Sequence, residues 1–255
     1  MYYDYKNAKK RIIDTISSKT DIDRESKYIP KNESEFTFKN GIKTWVGALF
    51  VDIVDSSRLF KEEKDERIAQ IIRSFCDEII RILSLNDNYR QIGIRGDCIF
   101  AIYDAPKIID TESILLDASY INTFQNMFQK ILQDNQFPTF EIGIGLGLSE
   151  TLVIKAGQKG SGINNYIWIG SSVVNASKLS SEAGRNQNSP ILLDKTFKHN
   201  LNKYCKRNYA KSWFKVIYSE KLKEYIFGVS IVNIDFDEWI TNEFLRTSSS
   251  LSLFN

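Results

Sequence analysis

The sequence predicts a mixed α/β (α+β) fold with a βαββαβ core, and three patterns in the chain predict it. An apolar run over residues 44–54, "TWVGALFVDIV", indicates a strand that is buried on both faces. Residues 89–104, "YRQIGIRGDCIFAIYD", indicate two strands joined at a turn that contains Gly96. Long segments with apolar residues at helical spacing follow each of these regions. The resulting order of strand, helix, strand, strand, helix and strand is that of the split βαβ, or ferredoxin-like, arrangement.

The remaining elements are justified in chain order by the same patterns. Apolar residues three and four positions apart predict helices at residues 4–18, 57–85, 112–135 and 171–184. The segment "FEIGIGLGLSETLVIKAG" is expected to form a strand, a turn and a shorter strand, and "PILLD" forms another short strand. The last residues, "TSSSLSLFN", are expected to be flexible.

These elements divide the chain into three expected parts. Residues 1–40 form an N-terminal helix and an irregular polar extension, because residues 19–40 lack any apolar period. Residues 41–235 form the main domain, with extra strands toward its C-terminal end. Residues 236–255 form a C-terminal tail.

Composition and charge exclude several classes of protein. The chain has 255 residues with 34 basic and 32 acidic side chains, and this balance favours neither a nucleic-acid partner nor an anionic membrane surface. No apolar stretch is long enough to span a bilayer, and the N-terminus lacks the apolar part of a signal peptide, so we expect a cytoplasmic protein. The three cysteines include no CxxC pair, and the single histidine lies among lysines. Chemistry in this chain therefore depends on carboxylates, lysine, arginine and bound metal.

Two aspartates stand where the predicted fold brings strand ends together. Asp52 closes the central apolar strand, where an unpaired carboxylate is costly, and Asp97 lies in the turn of the hairpin. In a ferredoxin-like sheet this hairpin is the neighbour of the first strand, so both carboxylates reach one end of the sheet. Such oxygen ligands suit Mg²⁺ or Mn²⁺ with a triphosphate, whose phosphates can accept from the amides of residues 54–57. The alternative is that Asp55 or Ser56 only caps the helix and that the hairpin aspartate only shapes its turn.

Four sequence blocks carry a resemblance to a known family. In chain order they are "LFVDIVDSSRL", "IRGDCIFAIY", "IGIGLGL" and "YIWIGSSVVNASKLSSEA". Together, over about residues 44–194, they resemble the catalytic domain of class III nucleotide cyclases. Within that family, "KAGQKGSGINNYIWIG" and "GIRGDCIFAIYD" are most similar to the pyrimidine cyclases of the bacterial Pycsar antiphage systems. Palm-type diguanylate cyclases share the fold, but their turn has two glycines followed by two acids, which "RGDCIF" lacks.

The resemblance implies a phosphorus–oxygen lyase. Such an enzyme joins the ribose 3′-oxygen of a nucleoside triphosphate to its α-phosphate and releases pyrophosphate. The resemblance assigns two divalent cations, Mn²⁺ or Mg²⁺, to Asp52, Asp97 and the backbone carbonyl of Ile53. It also implies a substrate-binding set that comprises Phe50, Val54, Asp55, Ser56, Ser57, Arg95, Lys155 and Trp168.

The family places an Asn and an Arg for the transition state on one helix, and this chain departs from that pattern. Counting from Gly170, the Asn position holds Val174 and the Arg position holds Lys178, while Asn175 follows one residue late. We expect Asn175 and Lys178 to take the catalytic roles, although lysine lacks the planar fork of arginine and one residue rotates a helical side chain by about 100°. The alternative is a helix capped at Ser171 with a solvated asparagine.

The base-reading positions of the purine cyclases are also altered. In this chain they hold Gly93 and Ile167, and neither side chain hydrogen-bonds a purine. Arg95 lies on the same strand face as position 93, and its guanidinium only donates, which suits the carbonyl groups of uracil. Trp168 and Trp45 are expected to narrow the pocket against a two-ring base. These features favour UTP ahead of CTP.

The expected function is therefore that of a uridylate cyclase, which makes 3′,5′-cUMP as the signal of an antiphage defence system. Its expected partners are a second copy of the chain, in a head-to-tail homodimer with shared active sites, and a separate effector that binds the cyclic nucleotide. Neither nucleic acid nor a membrane is an expected partner. The alternatives are a cytidylate cyclase that makes cCMP, an adenylate or guanylate cyclase, and a catalytically degenerate cyclase-fold module that senses nucleotides. The shifted asparagine favours the last, and the intact aspartate pair favours an enzyme.

Overall fold

The fold of residues 3–31, 35–158, 160–204 and 211–251 is described by a computed structural model. Its helices are α1 (Tyr5–Ile16), α2 (Ser56–Glu62), α3 (Asp65–Ser84), α4 (Ile108–Asp134), α5 (Ser171–Ser180), α6 (Lys195–Tyr204) and α7 (Ile234–Leu251), with a short 3₁₀ turn at Lys211–Trp213. Its strands are β1 (Asp21–Asp23), β2 (Asn40–Ile53), β3 (Tyr89–Arg95), β4 (Cys98–Asp104), β5 (Ile142–Gly157), β6 (Asn164–Ile169), β7 (Ile191–Leu193), β8 (Lys215–Ser219) and β9 (Glu224–Val229).

The strands form one mixed sheet in the order β3-β4-β2-β5-β7-β9-β8, with β1 on β2 and β6 on β5 as additional pairings. The first four strands of this order, with α3 and α4 as connections, are the predicted βαββαβ core. The predicted extra strands near the C-terminal end are β8 and β9, which form a hairpin. The fold class predicted from the sequence is confirmed. No helix in the described part of the chain is long and apolar enough to cross a membrane.

The central strand β2 separates two apolar cores because its side chains alternate between the faces of the sheet. Leu49, Val51 and Ile53 face the main core, which α3 and α4 cover. Ala48 and Phe50 face a second, smaller core on the opposite side. The second core therefore forms the floor on which the candidate site is built.

Alternating glycines let α5 approach this second face closely. Gly143, Gly145 and Gly147 of β5 stand opposite Asp52, Phe50 and Ala48 of β2, so they share their face. A Cβ atom at any of these glycines would collide with a carbonyl oxygen of α5 or of the turn that follows it. The "IGIGLGL" block thus has a packing role: it seats the end of α5 beside the end of β2.

The N-terminal segment is more ordered than its polar composition predicts. β1 pairs in parallel with the start of β2, and Ile29 and Phe36 are buried in the second core. Arg90 donates to the carbonyl oxygen of Ile29 at 2.7 Å and to Asp104 at 2.9 Å, which fixes the segment against the sheet. The described residues of 19–31 and 35–40 show no helical or strand period because only isolated side chains among them are buried.

Three predicted helix and strand boundaries are corrected by the structure. The helix predicted over 57–85 is two helices, because Glu63 and Lys64 have extended backbones. The "strand, turn and shorter strand" prediction for β5 is wrong, since one continuous strand pairs with β2 from Ile142 to Ile154. The helix predicted to end at residue 184 ends at Ser180.

The predicted C-terminal tail also needs a correction. Residues 236–251 belong to α7, whose first turn is capped by the Asn233 side chain accepting from the amide of Phe236 at 3.0 Å. Ile240 of this helix is buried. The flexible end predicted for "TSSSLSLFN" falls partly within α7, and residues 252–255 lie outside the described part of the chain.

Candidate active site

The end of β2 and the β3–β4 turn bring two carboxylates to one end of the sheet. Asp52 lies on the same face of β2 as Phe50, toward α5, because side chains alternate along the strand. β4 is the hydrogen-bonded neighbour of β2, and the turn before it holds Asp97 next to Gly96, whose φ of 65° favours glycine. Burial raises the pKa of Asp52, and the charge of Asp97 raises it further. The two predicted ligands are therefore close enough to repel.

An arginine completes this group of charges. Arg185 Nη2 lies 2.8 Å from Asp52 Oδ2 and 3.0 Å from the carbonyl oxygen of Ile53. Its Nη1 atom donates to the carbonyl oxygens of Ser180, at 3.1 Å, and Ala183, at 3.2 Å, at the end of α5. The Arg185 side chain thus ties the end of α5 to the end of β2.

The carboxylates also set the protonation of the neighbouring thiol. Burial, followed by the charges of Asp52 and Asp97, raises the pKa of Cys98 to about 12. The thiol is therefore neutral at physiological pH in the metal-free protein, and no free thiolate nucleophile is available here. The chemistry of this site depends on oxygen and nitrogen groups.

The oxygen atoms at this end of the sheet fit a hard divalent cation. Asp52 and Asp97 offer carboxylates and Ile53 offers a backbone carbonyl, which are the ligand types that Mg²⁺ and Mn²⁺ prefer. In the described residues no cluster of three or more His, Cys, Asp and Glu side chains could hold a metal ion, so such a site depends on the carbonyl as well. The guanidinium of Arg185 already places positive charge on two of these oxygens.

The loop after β2 provides further donors beside the carboxylates. The amide of Val54 donates to the carbonyl oxygen of Glu141 at 2.8 Å and is therefore engaged in the sheet. Asp55 precedes α2 with a left-handed backbone, φ 52°, and makes no side-chain capping bond, so the simple capping alternative has no support. The amides of Ser56 and Ser57 open the helix and have no partner within it. Of the predicted phosphate-binding amides, these two are the ones best placed to donate.

Comparison with known proteins identifies the family. The chain is 37% identical over 245 residues to a uridylate cyclase of Treponema porcinum, which covers 96% of this chain and 83% of that protein. A uridylate cyclase of Gulbenkiania mobilis is 29% identical over 228 residues, covering 86% of this chain and 87% of that protein. The chain belongs to the uridylate cyclase family. No family model matches it.

Solved structures share the fold of this uridylate cyclase family member. The adenylyl cyclase CyaB from P. aeruginosa has a TM-score of 0.60 at 16% identity, covering 76% of this chain and 97% of that one. A guanylyl cyclase has a TM-score of 0.59 at 15% identity, covering 74% of this chain and 95% of that one. These likenesses show the class III cyclase fold.

The helix that was expected to carry the transition-state residues presents them on different sides. Asn175 Nδ2 donates to Asp194 Oδ2 at 3.1 Å, inside the subunit, where the same aspartate also accepts from the amides of Leu148 and Phe197. Val174, at the family's Asn position, is exposed. Lys178 is exposed one turn later. The one-residue shift thus directs the asparagine into a buried polar network, and the exposed face of α5 carries a valine and a lysine.

The expected base-binding residues gather on the second face of the sheet. Phe50 stacks on Phe100 with ring centroids 5.2 Å apart. A Cβ atom at Gly93 would lie 2.6 Å from the Phe100 ring, so no larger side chain fits there unless the ring moves. Arg95 lies two residues further along the same face of β3 and is exposed. At Gly93, one of the two altered base-reading positions, the site therefore presents an aromatic surface and no polar side chain.

The two expected tryptophans lie in different places. Trp168 Nε1 donates to Gln91 Oε1 at 2.6 Å and packs edge-on against Tyr166, so it belongs to the second face. Trp45 lies on the opposite face of β2, seven residues or roughly 23 Å from Asp52 along the strand, so within its own subunit it is far from the carboxylate end. The expected phosphate-binding residue Lys155 lies on β5, where its backbone is the register partner of Tyr166 on β6.

Sequence reasoning missed three residues of this site. Arg185 and Lys221 both lower the pKa of Asp52, opposing its burial, yet they follow it by more than 130 residues and belong to loops without a motif. The one signal was the pair "GR" at the end of a predicted helix, because a glycine there marks a sharp turn and Gly184 has φ 68°. Gln91, which accepts from Trp168, is the third missed residue, and no sequence pattern marks it.

Proposed function

We propose that this protein converts UTP to 3′,5′-cUMP and pyrophosphate. The observation that carries the proposal is the 37% identity, over 96% of the chain, to a protein named uridylate cyclase. The geometry supports it, because Asp52 and Asp97 meet at the end of the sheet beside the start of α2. A domain that only binds a nucleotide does not require two mutually repelling carboxylates at this end of the sheet.

In the proposed reaction the bond between O3′ and the α-phosphorus forms as the bond to pyrophosphate breaks. Asp52, Asp97 and the carbonyl of Ile53 would hold two Mn²⁺ or Mg²⁺ ions, which lower the pKa of the 3′-hydroxyl and offset the charge of the triphosphate. The amides of Ser56 and Ser57 donate to phosphate oxygens at the start of α2. Lys178 supplies positive charge from the exposed face of α5.

The decisive experiment offers each of the four nucleoside triphosphates with Mn²⁺ and measures cyclic nucleotide and pyrophosphate. We expect cUMP as the main product in competition, with the Asp97→Asn variant as the inactive control. Mainly cAMP or cGMP would overturn the pyrimidine assignment. Mainly cCMP would retain a pyrimidine cyclase and overturn the pairing of Arg95 with uracil.

We propose that two copies of the chain form a head-to-tail homodimer with shared active sites. Ile167 and Ile169 on β6 and Val174 on α5 are exposed apolar side chains on neighbouring elements, as an interface requires. If Asp52 and Lys178 act in one site from different subunits, mixing the inactive variants Asp52→Ala and Lys178→Ala restores part of the activity. No recovery after verified subunit exchange would contradict shared sites.

A degenerate nucleotide-sensing module is the second candidate. It is favoured by one observation, the engagement of Asn175 with Asp194 in place of an exposed asparagine on α5. Under this candidate the four-nucleotide assay yields no cyclic product, while calorimetry still detects nucleotide binding. Product formation that depends on Asp97 would exclude it.

We propose that the product serves as a signal in antiphage defence and is read by a separate cyclic-nucleotide-binding effector. The resemblance of the sequence blocks to Pycsar cyclases supports this role. The test is protection of cells from phage by the protein together with its effector. Protection should be lost in the Asp97→Asn variant and restored by added cUMP.

A further inference from the structure

The side chain of Arg185 makes two kinds of contact through its two terminal nitrogens. Nη1 binds the carbonyl oxygens of Ser180 and Ala183 at the end of α5, where the partial negative charge of a helix favours a cation. Nη2 binds Asp52 Oδ2 at 2.8 Å and the carbonyl oxygen of Ile53 at 3.0 Å. The guanidinium is therefore anchored on one side and engages the candidate site on the other.

The oxygens that accept from Nη2 are the same two that the proposed function assigns to a divalent cation. A metal ion of this class needs ligand oxygens at about 2.0–2.2 Å and brings two positive charges. A guanidinium nitrogen within 3.0 Å of both oxygens would be in direct contact with such an ion, and the two cations would repel each other at that distance. Asp52 and Ile53 can therefore serve only one of the two partners at a time.

We infer that Arg185 is a positioning residue that acts as the counter-ion of Asp52 until the metal replaces it. Nη2 leaves Asp52 and Ile53 when the cation binds, while Nη1 keeps its anchor on α5. The inference rests on the proposed function, because it takes the metal site at Asp52 as given. It goes beyond that function by naming the group that competes for the site.

The competition explains how two carboxylates coexist at this strand end. Asp52 is largely buried, with its side chain 18% exposed, and it lies beside the turn that holds Asp97, so its carboxylate needs a positive neighbour. Arg185 offsets this cost in the free enzyme and lowers its affinity for metal by the same amount. Metal is then bound strongly only with the nucleotide, whose phosphates supply further ligands.

The test measures Mn²⁺ binding to the nucleotide-free protein by calorimetry, and free Mn²⁺ by electron paramagnetic resonance. We expect Arg185→Gln to bind Mn²⁺ about tenfold more tightly than the wild type, which corresponds to about 1.4 kcal/mol. Arg67→Gln is the matched control, because Arg67 also pairs with a carboxylate, that of Glu63 at 3.1 Å, and also donates to a backbone carbonyl. The exposure of the two pairs is similar: the side chains of Arg67 and Glu63 are 31% and 19% exposed, and those of Arg185 and Asp52 are 22% and 18% exposed. The control should keep the wild-type affinity. Unchanged or weaker Mn²⁺ binding in folded Arg185→Gln would overturn the inference.

A measurement on the wild-type protein covers the case in which Arg185→Gln does not fold. In ¹⁵N-labelled protein a guanidinium held by a carboxylate gives resolved Nη signals, and that of Arg185 is assigned by its loss in Arg185→Lys. We expect saturating Mg²⁺ to abolish the resolved Nη2 signal and leave those of the Arg67 guanidinium unchanged. A signal that persists while Mg²⁺ saturates the site would overturn the inference.

Failure of the proposed function gives a different result. A wild-type protein that binds neither Mn²⁺ nor UTP with Mn²⁺ would overturn both the function and the inference. A wild-type protein that makes cUMP, but whose Arg185→Gln variant binds Mn²⁺ with unchanged affinity, would overturn the inference alone.

Discussion

Two aspartates on the same face of the sheet are each paired with an arginine, and the two pairs differ in what surrounds them. Arg90 lies 2.9 Å from Asp104, with the two side chains 8% and 1% exposed. Arg185 lies 2.8 Å from Asp52, with the two side chains 22% and 18% exposed. The first pair is covered by the N-terminal segment, whose Ile29 carbonyl also accepts from Arg90. The second pair stands at the open end of the sheet, beside Asp97.

An arginine partner therefore determines neither the protonation state of its aspartate nor the role of that aspartate by itself. Burial raises the pKa of both aspartates despite their arginines, to about 6 for Asp104. In the covered pair the arginine is the permanent partner, because the surrounding chain leaves no room to exchange it. In the open pair the carboxylate has a second carboxylate next to it, and under the proposed function its arginine is the cation that a metal ion replaces.

The largest effect that distinguishes the pairs is on activity. Asp52→Asn should lower turnover at least about 10³-fold, because a neutral amide is a poor ligand for a divalent cation. Stability should change little, since burial raises the pKa of this carboxyl and the fold therefore does not favour its ionised form. The measurements are cUMP formation and the urea midpoint.

Asp104→Asn provides the control for this comparison. It should retain measurable turnover because Asp104 lies at the far end of β4 from the turn that holds Asp97. Comparable loss of turnover in both variants, with both folded, would mean that the open pair has no special role.

The next effect is on stability, and it belongs to the covered pair. Arg90→Ala should lower the free energy of unfolding by about 3 kcal/mol at pH 7.5, because it leaves Asp104 buried without its partner. The loss should shrink at pH 5, since Asp104 is then protonated and its pKa is about 6. Urea denaturation at both pH values checks this, and an equal loss at both would contradict it.

The fold was predictable because it rests on long periodic segments. Clear apolar periods mark the strand at 44–54, the hairpin around Gly96 and the helices on either side. Tertiary packing agrees with these periods. The break at Glu63 was not predictable, since both flanking helices share one period and only backbone angles separate them. β5 was split wrongly because the polar pair Ser149 and Glu150 interrupts its apolar run.

The candidate site was predictable only where residues lie near one another in the chain or in a recognised block. Asp52 and Asp97 followed from the topology, because adjacent strands bring their ends together. Arg185 did not, since its contacts with β2 depend on how α5 rests on the glycines of β5. The engagement of Asn175 with Asp194 likewise depends on the rotation of a helix, which local sequence does not specify.

A third buried carboxylate separates the effect of burial from that of an arginine. Asp117 accepts from Asn86 Nδ2 at 2.8 Å, and burial raises its pKa to about 6. Its ordinary value is 3.8, so the folded protein holds the proton more tightly than the unfolded chain, and this contribution to stability is lost as pH rises from about 4 to about 6. Asp117→Asn should therefore raise the free energy of unfolding by about 1–2 kcal/mol at pH 8 and give no gain at pH 4. A gain of equal size at both pH values would show that the amide acts by packing alone.

The smallest effect is expected for an arginine–aspartate pair at full exposure. Arg81 lies 2.8 Å from Asp77 one turn away on α3, the same distance as in the open pair, but with side chains 68% and 60% exposed. Water and salt screen such a pair, and holding two long side chains costs conformational entropy that offsets the attraction. Arg81→Gln should therefore leave the urea midpoint and the turnover unchanged at 0.15 M salt or higher, at any pH from 5 to 8. If it destabilised the protein as much as Arg90→Ala, the distance between the charged atoms, and not the burial around them, would govern what each pair contributes.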